Sequence, residues 1–391
     1  MKPFLITGIP DIVFGTGKLQ LLGKMASRFG KTALLVVGGE SLKKSGTWDK
    51  IVKNLRDEGI YVISISFTGE PSCDFIDSVV MEYGQRTIDV VIAVGGGSVV
   101  DAGKAISAML LQKKRVKTYL EDVGSGESHD GRKIPFIAVP TTSGTGSEAT
   151  KNAVLSTVGD DGFKKSLRHD NFIPDCALID PELMLTCPPD ITASTGMDAL
   201  VQLLESYVST KSNPMTDALA WSGIEKAAVN LLNACGAGAG NIDVRAGMAY
   251  AALMSGITLA NAGLGVIHGF AGVIGGYFRM PHGVVCGTLF APSVKFTIEN
   301  LQNTDPENQA LIKFAKTGYL LSQKKGDDIN TGCRLLIDTL YHWTEQLEMP
   351  RLTAYGIEDF HLDKIVEETG QKNNPAILSH EQLYHVLLER L

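Results

Sequence analysis

Strand-like apolar runs alternate with amphipathic stretches over the first half of this chain. The runs occupy residues 12–14, 32–37, 61–67, 89–94 and 136–139, and several end directly in glycine or proline. The run at 32–37 is apolar at every position after its first, which is typical of a strand buried on both faces of a parallel sheet. Because helical periodicity fills most of the intervals, we predict a doubly wound, mainly parallel, Rossmann-like α/β sheet with right-handed crossovers.

Helical periodicity dominates the second half of the chain. After the Asp180-Pro181-Glu182 segment the strand pattern fades, and apolar positions recur at helical spacing almost to Leu391. The pattern predicts helices at 195–210, 244–262, 265–277, 311–321, 330–347, 357–368 and 380–390. We therefore predict an α/β domain over residues 1–182 and an all-α domain over residues 183–391.

Small and hydroxyl-bearing residues follow three of the predicted strands, at 38–44, 95–98 and 141–147. Ligands of open α/β sheets bind at the carboxyl ends of strands, so these turns predict a nucleotide site. The Gly95–Ser98 turn enters a helix whose N-terminal amides suit a phosphate, and residues at Gly96 or Gly97 are expected to need positive φ. The turn matches neither a Walker loop nor the G-x-G-x-x-G fingerprint, and a tight turn without a ligand is the alternative. Asp101 is predicted to cap or pair within this helix, one turn before Lys104.

Two histidines flank a glycine-rich stretch in the helical half. No Asp, Glu, Lys or Arg lies between Arg245 and Arg279, so His268 sits in a buried segment and needs a hydrogen-bond partner or a metal. A core histidine bonded to a backbone carbonyl is the alternative. His282 follows in a Pro-His-Gly turn, so a helix that ends in this turn would present a second imidazole.

Two polar residues lie four apart in the first predicted helix of the helical half. Asp198 and Gln202 therefore share one helical face. Capping and metal ligation are equally open for Asp198, and Ser194 or Thr195 can cap the start of the helix.

Composition excludes several classes of function. The chain has 391 residues, 20% charged, with a net charge of −7 and no long basic tract, which argues against nucleic-acid binding. Six scattered cysteines without a C-x-x-C pair indicate reduced thiols and a cytoplasmic protein. The uncharged run at 246–278 could span a bilayer by length, but Asn261 and its glycines favour a buried helix pair and no membrane partner. Surface or core-edge positions are expected for His129, His169, His342, His361, His380 and His385.

Seven sequence blocks, in one order over essentially the whole chain, resemble the iron-containing (group III) alcohol dehydrogenase family. The blocks are GGGSVVDAGK (95–104), PTTSGTGSEAT (140–150), DPEL (180–183), TGMDALVQLLESY (195–207), HGFAGVIGG (268–276), PHG (281–283) and the tail around Asn374-Pro375. The resemblance implies an active site between a dinucleotide-binding domain and a helical metal domain. It also implies oxidation of small alcohols or reduction of aldehydes with NAD(H) or NADP(H), in a homodimer or larger homo-oligomer.

The resemblance also implies a metal site, because most members hold one divalent ion, Fe²⁺ or Zn²⁺ here, through one Asp and three His. Carried over by position, the ligands are Asp198, Gln202, His268 and His282, and Asp198, His268 and His282 are also the implied catalytic residues. Gln202 stands where the family has a histidine. Gly272 stands where a histidine is commonly placed near the reacting carbonyl. A metal-independent reductase, with His268 or His282 donating to the carbonyl oxygen, and a catalytically silent nucleotide-binding protein are the alternatives.

The strand-end turns and the resemblance together predict the cofactor site. The predicted cofactor-binding residues are Gly38, Gly39, Ser41, Lys44, Ser72, Gly95, Gly96, Gly97, Ser98, Asp101, Thr141, Thr142, Ser143, Thr145, Lys164 and Leu183. The strand at 32–37 ends in two glycines where NAD-preferring sites commonly place a carboxylate, and Ser41 with Lys43 or Lys44 can reach a 2′-phosphate. We therefore predict NADP(H) over NAD(H). Glu40 argues against this preference, because its negative charge would repel the 2′-phosphate unless the Glu40 side chain points to solvent.

Overall fold

A six-stranded parallel sheet forms the first half of the molecule. The computed structural model describes residues 3–391. The strands of this part of the chain, including two that lie outside the six-stranded sheet, are β1 (Asp11–Phe14), β2 (Thr32–Gly38), β3 (Tyr61–Phe67), β4 (Val90–Gly95), β5 (Phe136–Pro140), β6 (Asn152–Thr157), β7 (Phe163–Arg168) and β8 (Cys176–Ile179). The sheet order is β1-β8-β5-β4-β2-β3, and every neighbouring pair is parallel. The predicted α/β fold is confirmed.

Helices cover both faces of this sheet: α1 (Leu22–Ala26), α2 (Ser41–Lys44), α3 (Thr47–Asp57), α4 (Cys73–Tyr83) and α5 (Gly97–Met109). Successive side chains of a strand point to opposite faces. In β2, Leu35 packs with α1 and α3, whereas Leu34 and Val36 pack with α4 and α5. The helix after β2 therefore lies on one face and the helix after β4 on the other, which opens a crevice between the carboxyl ends of these strands.

An antiparallel hairpin, β6–β7, stands outside the main sheet and was not predicted. Its second strand, Phe163–Arg168, carries three basic residues and has only one buried position, so it lacks an apolar run. The hairpin also corrects the prediction for Asp101, which accepts a bond from the Val154 amide of β6 and one from the Ser147 hydroxyl rather than pairing within α5. Lys104 is 1% exposed and donates to Ser147, Thr150 and Asn152.

Nine helices of the described chain form the second half. They are α6 (Pro189–Val208), α7 (Pro214–Cys235), α8 (Ile242–Ala262), α9 (Val266–Tyr277), α10 (His282–Thr304), α11 (Gln309–Leu321), α12 (Ile329–Gln346), α13 (Asp359–Glu368) and α14 (His380–Leu388). The predicted all-α character is confirmed, but α7 and α10 were missed. The buried face of α7 includes small residues such as Ala220, Gly223 and Ala227, and α10 contains Pro292, which from sequence indicates a helix break.

The first of these helices begins six residues earlier than predicted, at Pro189, a favoured first helical position for proline. Ser194 and Thr195 therefore lie inside α6, where their hydroxyls donate to carbonyl oxygens three or four residues earlier. The capping role considered for these two residues is wrong. Asp198 lies near the middle of α6, so capping is excluded for it as well.

The uncharged run folds into α8 and α9, which are bent by 98° where they join. Over residues 3–391, no single helix is long and apolar enough to span a membrane. The bent pair of α8 and α9 reaches that length and apolar character only when the two helices are counted together. One histidine outside the run departs from expectation. His129 is 6% exposed and packs edge-on against Tyr119 and Phe172, so it belongs to the core.

Candidate active site

Four potential metal ligands converge where α6, α9 and α10 meet. They are Asp198, His268, His282 and Cys286, and one ligand atom from each lies within 4.8 Å of all the others. Asp198 Oδ1 lies 3.4 Å from His268 Nε2 and 3.8 Å from His282 Nε2. Cys286 Sγ lies 3.7 Å from the first imidazole nitrogen and 3.8 Å from the second.

The helix ends explain how the two histidines meet. His268 lies in the first turn of α9, and His282 is the first residue of α10. As expected, α9 ends at Tyr277, shortly before the turn that presents His282, and this turn also starts a new helix, α10, which was not predicted. That helix brings Cys286, four residues after His282, onto the same face.

The cluster fits a divalent metal ion. Among the described residues, the buried Asp198 Oδ1 has no hydrogen-bond partner, which is costly for a carboxylate oxygen unless a cation faces it. Metal–ligand bonds of about 2.0–2.3 Å at tetrahedral angles place ligand atoms roughly 3.3–3.8 Å apart. The four separations between an imidazole Nε2 and either Asp198 Oδ1 or Cys286 Sγ, 3.4 to 3.8 Å, are of this size.

The charge states of Asp198 and His282 also suit a cation. Burial works to raise the pKa of Asp198, but His282 and His268 outweigh it and lower that pKa. Burial lowers the pKa of His282 to about 3, which leaves this imidazole neutral with a free lone pair. Burial raises the pKa of the Cys286 thiol to about 12. Because a bound thiolate requires loss of that proton, a metal that recruits Cys286 would release a proton on binding.

Glu205 orients one of the two imidazoles. Burial works to lower the pKa of His268, but Cys286 and Glu205 raise it well above its usual value. His268 Nδ1 donates to Glu205 Oε2 at 2.7 Å, and the Ile267 amide donates to Glu205 Oε1 at 2.8 Å. This carboxylate bond, rather than the backbone carbonyl considered from sequence, turns His268 Nε2 toward the cluster. Within residues 3–391, Nδ1 of His282 has no such partner.

Sequence reasoning missed Cys286 and Glu205, although spacing offered a signal for both. Cys286 lies four residues after His282 on α10, and Glu205 lies seven residues after Asp198 on α6. Both spacings return a side chain to the same helical face. Neither spacing says which face is directed at the site, so neither residue could be selected without the packing of the helices.

Gln202 lies beside the cluster with both of its amide atoms engaged. Its Nε2 donates to Asp198 Oδ2 at 3.0 Å, and its Oε1 accepts from the Ser255 hydroxyl at 2.7 Å. The Ser255 hydroxyl also lies 3.4 Å from the carbonyl oxygen of Gly144. Gln202 therefore connects Asp198 to the loop that follows β5.

Open space lies on one side of the cluster. The side chain of His282 is 25% exposed, whereas Asp198 and His268 are at most 5% exposed. A Cβ built on Gly272, one turn after His268, would meet no described atom within 4 Å. His282 is thus the most exposed of these three side chains, and Gly272 leaves space one turn after His268 that a side chain would fill.

A cleft of about 1130 Å³ lies at the carboxyl ends of β2 to β5, in the crevice between β2 and β4. Half of the predicted cofactor residues line it: Gly38, Gly39, Ser41, Gly95, Gly96, Thr141, Thr142 and Leu183. Glu40, whose negative charge argues against binding of a 2′-phosphate, also lines the cleft and forms an ion pair of 3.2 Å with Lys43. The cleft is large enough for a dinucleotide-sized ligand.

The other half of the predicted cofactor residues lie outside the lining: Lys44, Ser72, Gly97, Ser98, Asp101, Ser143, Thr145 and Lys164. Several of these already have partners in the protein. Ser72 caps α4 by accepting from the Phe75 amide, and the Thr145 hydroxyl accepts from the Ser147 amide. The buried Lys164 forms an ion pair of 3.1 Å with Glu70.

The glycines in and beside the cleft differ in backbone φ and in the space available for a Cβ atom. Gly96 is the N-cap of α5 with φ −72°, and Gly97 is not among the positive-φ residues, so the positive φ expected there is wrong. Gly39 does have a positive φ, +42°. A Cβ on Gly97 would lie 2.5 Å from Thr145, whereas one on Gly96 would make only ordinary 3.5 Å contacts with Thr142. Gly97 thus permits close packing, and Gly96 leaves the cleft open.

The loop after β5 joins the cleft to the metal cluster. Its first residues, Thr141 and Thr142, line the cleft. Farther on, Gly144 packs so closely on Thr195 of α6 that an added Cβ would lie 2.7 Å from the threonine Cβ. One short segment of chain therefore contacts both the cleft and the helix that carries Asp198.

Comparison with known proteins agrees with this arrangement. Residues 10–181 match the family model for iron-containing alcohol dehydrogenase, and residues 192–391 match the C-terminal model of the Fe-containing alcohol dehydrogenase family. The chain is 32% identical to the NADPH-dependent butanol dehydrogenase of Clostridium saccharobutylicum, over 95% of this chain and 94% of that protein. It is 32% identical to alcohol dehydrogenase 4 of Saccharomyces cerevisiae, over 98% of each.

Solved structures show the same similarity. An alcohol dehydrogenase from Oenococcus oeni superposes with a TM-score of 0.87 at 27% identity, over all of both chains. A 1,3-propanediol oxidoreductase superposes with a TM-score of 0.88 at 28% identity, also over all of both chains. Because family models match both halves, the chain belongs to the iron-containing alcohol dehydrogenase family.

Proposed function

We propose that this protein is a metal-dependent, NADP(H)-preferring dehydrogenase that interconverts a small alcohol and its aldehyde. The observation that carries the proposal is the cluster of Asp198, His268, His282 and Cys286, joined by one loop to a cleft at the strand ends. When bound, a divalent ion such as Fe²⁺ or Zn²⁺ acts as a Lewis acid toward the substrate oxygen, and the nicotinamide exchanges hydride with the carbon.

The side chains divide the work of holding this site. Asp198, His268 and His282 bind the ion. Gln202 orients the Asp198 carboxylate through its 3.0 Å bond, so we propose it as a positioning residue rather than a direct ligand. Glu205 fixes the ring of His268. The buried surroundings of Asp198 and His268 exclude water and strengthen their interaction with a cation.

A metal-independent reductase is the second candidate, favoured by one observation. Burial works to lower the pKa of His268, but Cys286 and Glu205 raise it, which favours the protonated imidazole that a metal-independent mechanism needs to donate a hydrogen bond to a carbonyl oxygen. In that mechanism the cluster would hold no ion, and a chelator would leave the activity unchanged.

One experiment separates the two candidates. The purified protein is analysed for metal content, then assayed with a panel of small aldehydes and NADPH or NADH. Each assay is repeated after chelation and again after Zn²⁺ or Fe²⁺ is restored. We expect one ion per chain, loss of activity on chelation and its return with metal. Full activity in chelated, metal-free protein would establish the second candidate. No activity with any aldehyde, metal or cofactor would favour a silent nucleotide-binding protein.

Replacing Gly96 by alanine is expected to weaken cofactor binding without unfolding the protein. A Cβ there has room in the protein but extends toward the cleft, so we expect the dissociation constant for NADPH to rise about tenfold, or 1.4 kcal/mol. Fluorescence titration measures this change. Gly97→Ala is the comparison: its Cβ overlaps Thr145, so we expect it to lower the free energy of unfolding by about 1–3 kcal/mol. An unaltered dissociation constant in Gly96→Ala would mean that the turn only shapes the fold.

Gly39 is the position at which cofactor preference can be reversed. Gly38 is unsuitable, because its Cβ would lie 2.8 Å from Val99, whereas a Cβ on Gly39 meets only Thr68 at 3.9 Å. Gly39 has φ +42°, which aspartate and asparagine tolerate better than most residues. We expect the wild type to prefer NADPH and Gly39→Asp to shift the kcat/KM ratio toward NADH by about tenfold or more, or 1.4 kcal/mol.

Gly39→Asn is the matched control, since it has nearly the same shape without the charge. It should change the ratio much less than Gly39→Asp does. A wild type that already prefers NADH tenfold, about 1.4 kcal/mol, would contradict the proposed preference.

We further propose a division of the chain near residue 182, action in the cytoplasm, and a homodimer or larger homo-oligomer. The matched ranges 10–181 and 192–391 support the division. The six unpaired cysteines are compatible with a reducing compartment. The resemblance to the family is the support for the oligomer, which light scattering on the purified protein tests.

A further inference from the structure

We propose that the Cys286 thiolate is the fourth metal ligand and replaces the imidazole that Gln202 has displaced, so that the site selects Zn²⁺ rather than Fe²⁺. This inference rests on the proposed metal-dependent function. It adds a ligand that the family pattern of one Asp and three His does not contain, and it names the resident metal.

The position of the sulfur supports ligation. Cys286 is fully buried, and its Sγ lies 3.7 and 3.8 Å from the two imidazole Nε2 atoms that also face Asp198 Oδ1. The second, independent observation is Asp198 itself. It is 1% exposed, and in the described structure its Oδ1 is aimed into the cluster without a hydrogen-bond partner. A cation at the centre would contact the sulfur and the carboxylate oxygen together.

Gln202 shows why a replacement ligand is needed. Its Oε1, the only atom of this side chain that could ligate a hard ion, already accepts from Ser255, and its Nε2 is bound to Asp198. These two buried bonds hold the Gln202 amide between Asp198 and Ser255, with its Oε1 directed at the Ser255 hydroxyl. Cys286 reaches the cluster from α10 instead of α6 and restores a set of four donors.

The donor set decides the metal. Two imidazoles, a carboxylate and a thiolate suit Zn²⁺, and zinc binds such sites more tightly than Fe²⁺ in the general order of divalent affinities. On coordination the S–H bond breaks, its proton passes to solvent, and the sulfur lone pair forms the metal bond. No change of oxidation state is involved.

Cobalt titration tests the ligand directly, without substrate or cofactor. Co²⁺ is added anaerobically to the full-length, metal-free protein, and binding is followed by absorption. A thiolate ligand produces an intense near-ultraviolet sulfur-to-cobalt charge-transfer band, which a hydrogen-bonded thiol does not. We expect this band at one equivalent in the wild type and its absence in Cys286→Ser. Cys333→Ser is the matched control, because Cys333 is equally buried but bonds to the Leu311 carbonyl, outside the cluster.

Zinc affinity provides a second readout. In competition with a chromophoric chelator, Cys286→Ser should bind Zn²⁺ at least about tenfold more weakly than wild type. Loss of a residue that only hydrogen-bonds to a metal ligand already lowers metal affinity about 10–100-fold, so loss of a direct ligand should cost at least the lower value. The double variant Gln202→His/Cys286→Ser should regain affinity and bind Co²⁺ without the charge-transfer band. Protein purified from cells grown with both metals should contain zinc.

The outcomes separate this inference from the proposed function. Stoichiometric Co²⁺ binding without the band in wild type would overturn Cys286 as a ligand and leave the metal-dependent function standing. Iron as the bound metal with the band present would overturn the choice of zinc. Failure of the wild type to bind Co²⁺ or Zn²⁺ at all would overturn both the inference and the proposed function.

Discussion

Replacing Asp198 by asparagine is expected to abolish metal retention and to lower kcat/KM by about 1000-fold. The carboxylate is the only full negative charge among the ligands that Asp198, His268 and His282 supply. Its Oδ1 faces both imidazoles, at 3.4 and 3.8 Å. Loss of a Lewis acid removes several kcal/mol of transition-state stabilisation, and a thousandfold loss corresponds to about 4 kcal/mol.

Asparagine keeps the shape of the side chain, so folding should survive. Its carbonyl oxygen, rather than its NH2 group, must face Gln202 Nε2 to keep the hydrogen bond that Asp198 accepts. Elemental analysis and steady-state kinetics measure the effect. Asp190→Asn is the matched control, because Asp190 lies on the same helix but is exposed and outside the cluster. An Asp198→Asn protein that retains one ion per chain and activity within about tenfold of wild type would show that the site is assigned to the wrong residues.

The second large effect is expected from Glu205, which touches no proposed substrate or cofactor atom. Glu205→Ala leaves His268 Nδ1 and the Ile267 amide without their buried acceptor. Loss of a ligand's orienting partner typically lowers metal affinity roughly 10–100-fold. The orphaned amide should also lower the free energy of unfolding by about 1–3 kcal/mol.

Two readouts separate orientation from stability in this experiment. Zinc competition reports the affinity, and thermal unfolding of the metal-free protein reports the fold. Glu205→Gln retains one acceptor oxygen and should recover part of the affinity, whereas the exposed Glu225→Ala should behave as wild type. If Glu205→Ala is destabilised but binds Zn²⁺ with wild-type affinity, Glu205 is a structural residue and does not position His268.

Local patterning was sufficient for most of the architecture. The apolar runs at β2 and β4 identify buried parallel strands because both faces of such strands are covered by helices. It failed where local signals were absent or misleading. Strand β7 of the hairpin carries three basic residues and has only one buried position, and Pro292 lies inside α10 rather than ending a helix. At Pro292 the surrounding helix packing outweighs a local preference.

The ordered motifs were enough to predict the family, the two-part architecture and three of the four residues that converge, namely Asp198, His268 and His282. Their role as ligands stays a prediction for the experiments above. The packing of the helices was needed to show that Cys286 joins them, that Glu205 bonds to His268 and that Gln202 bonds to Asp198 and Ser255. The physical reason is that helical spacing tells which residues share a face, whereas the crossing of α6, α9 and α10 decides which faces meet.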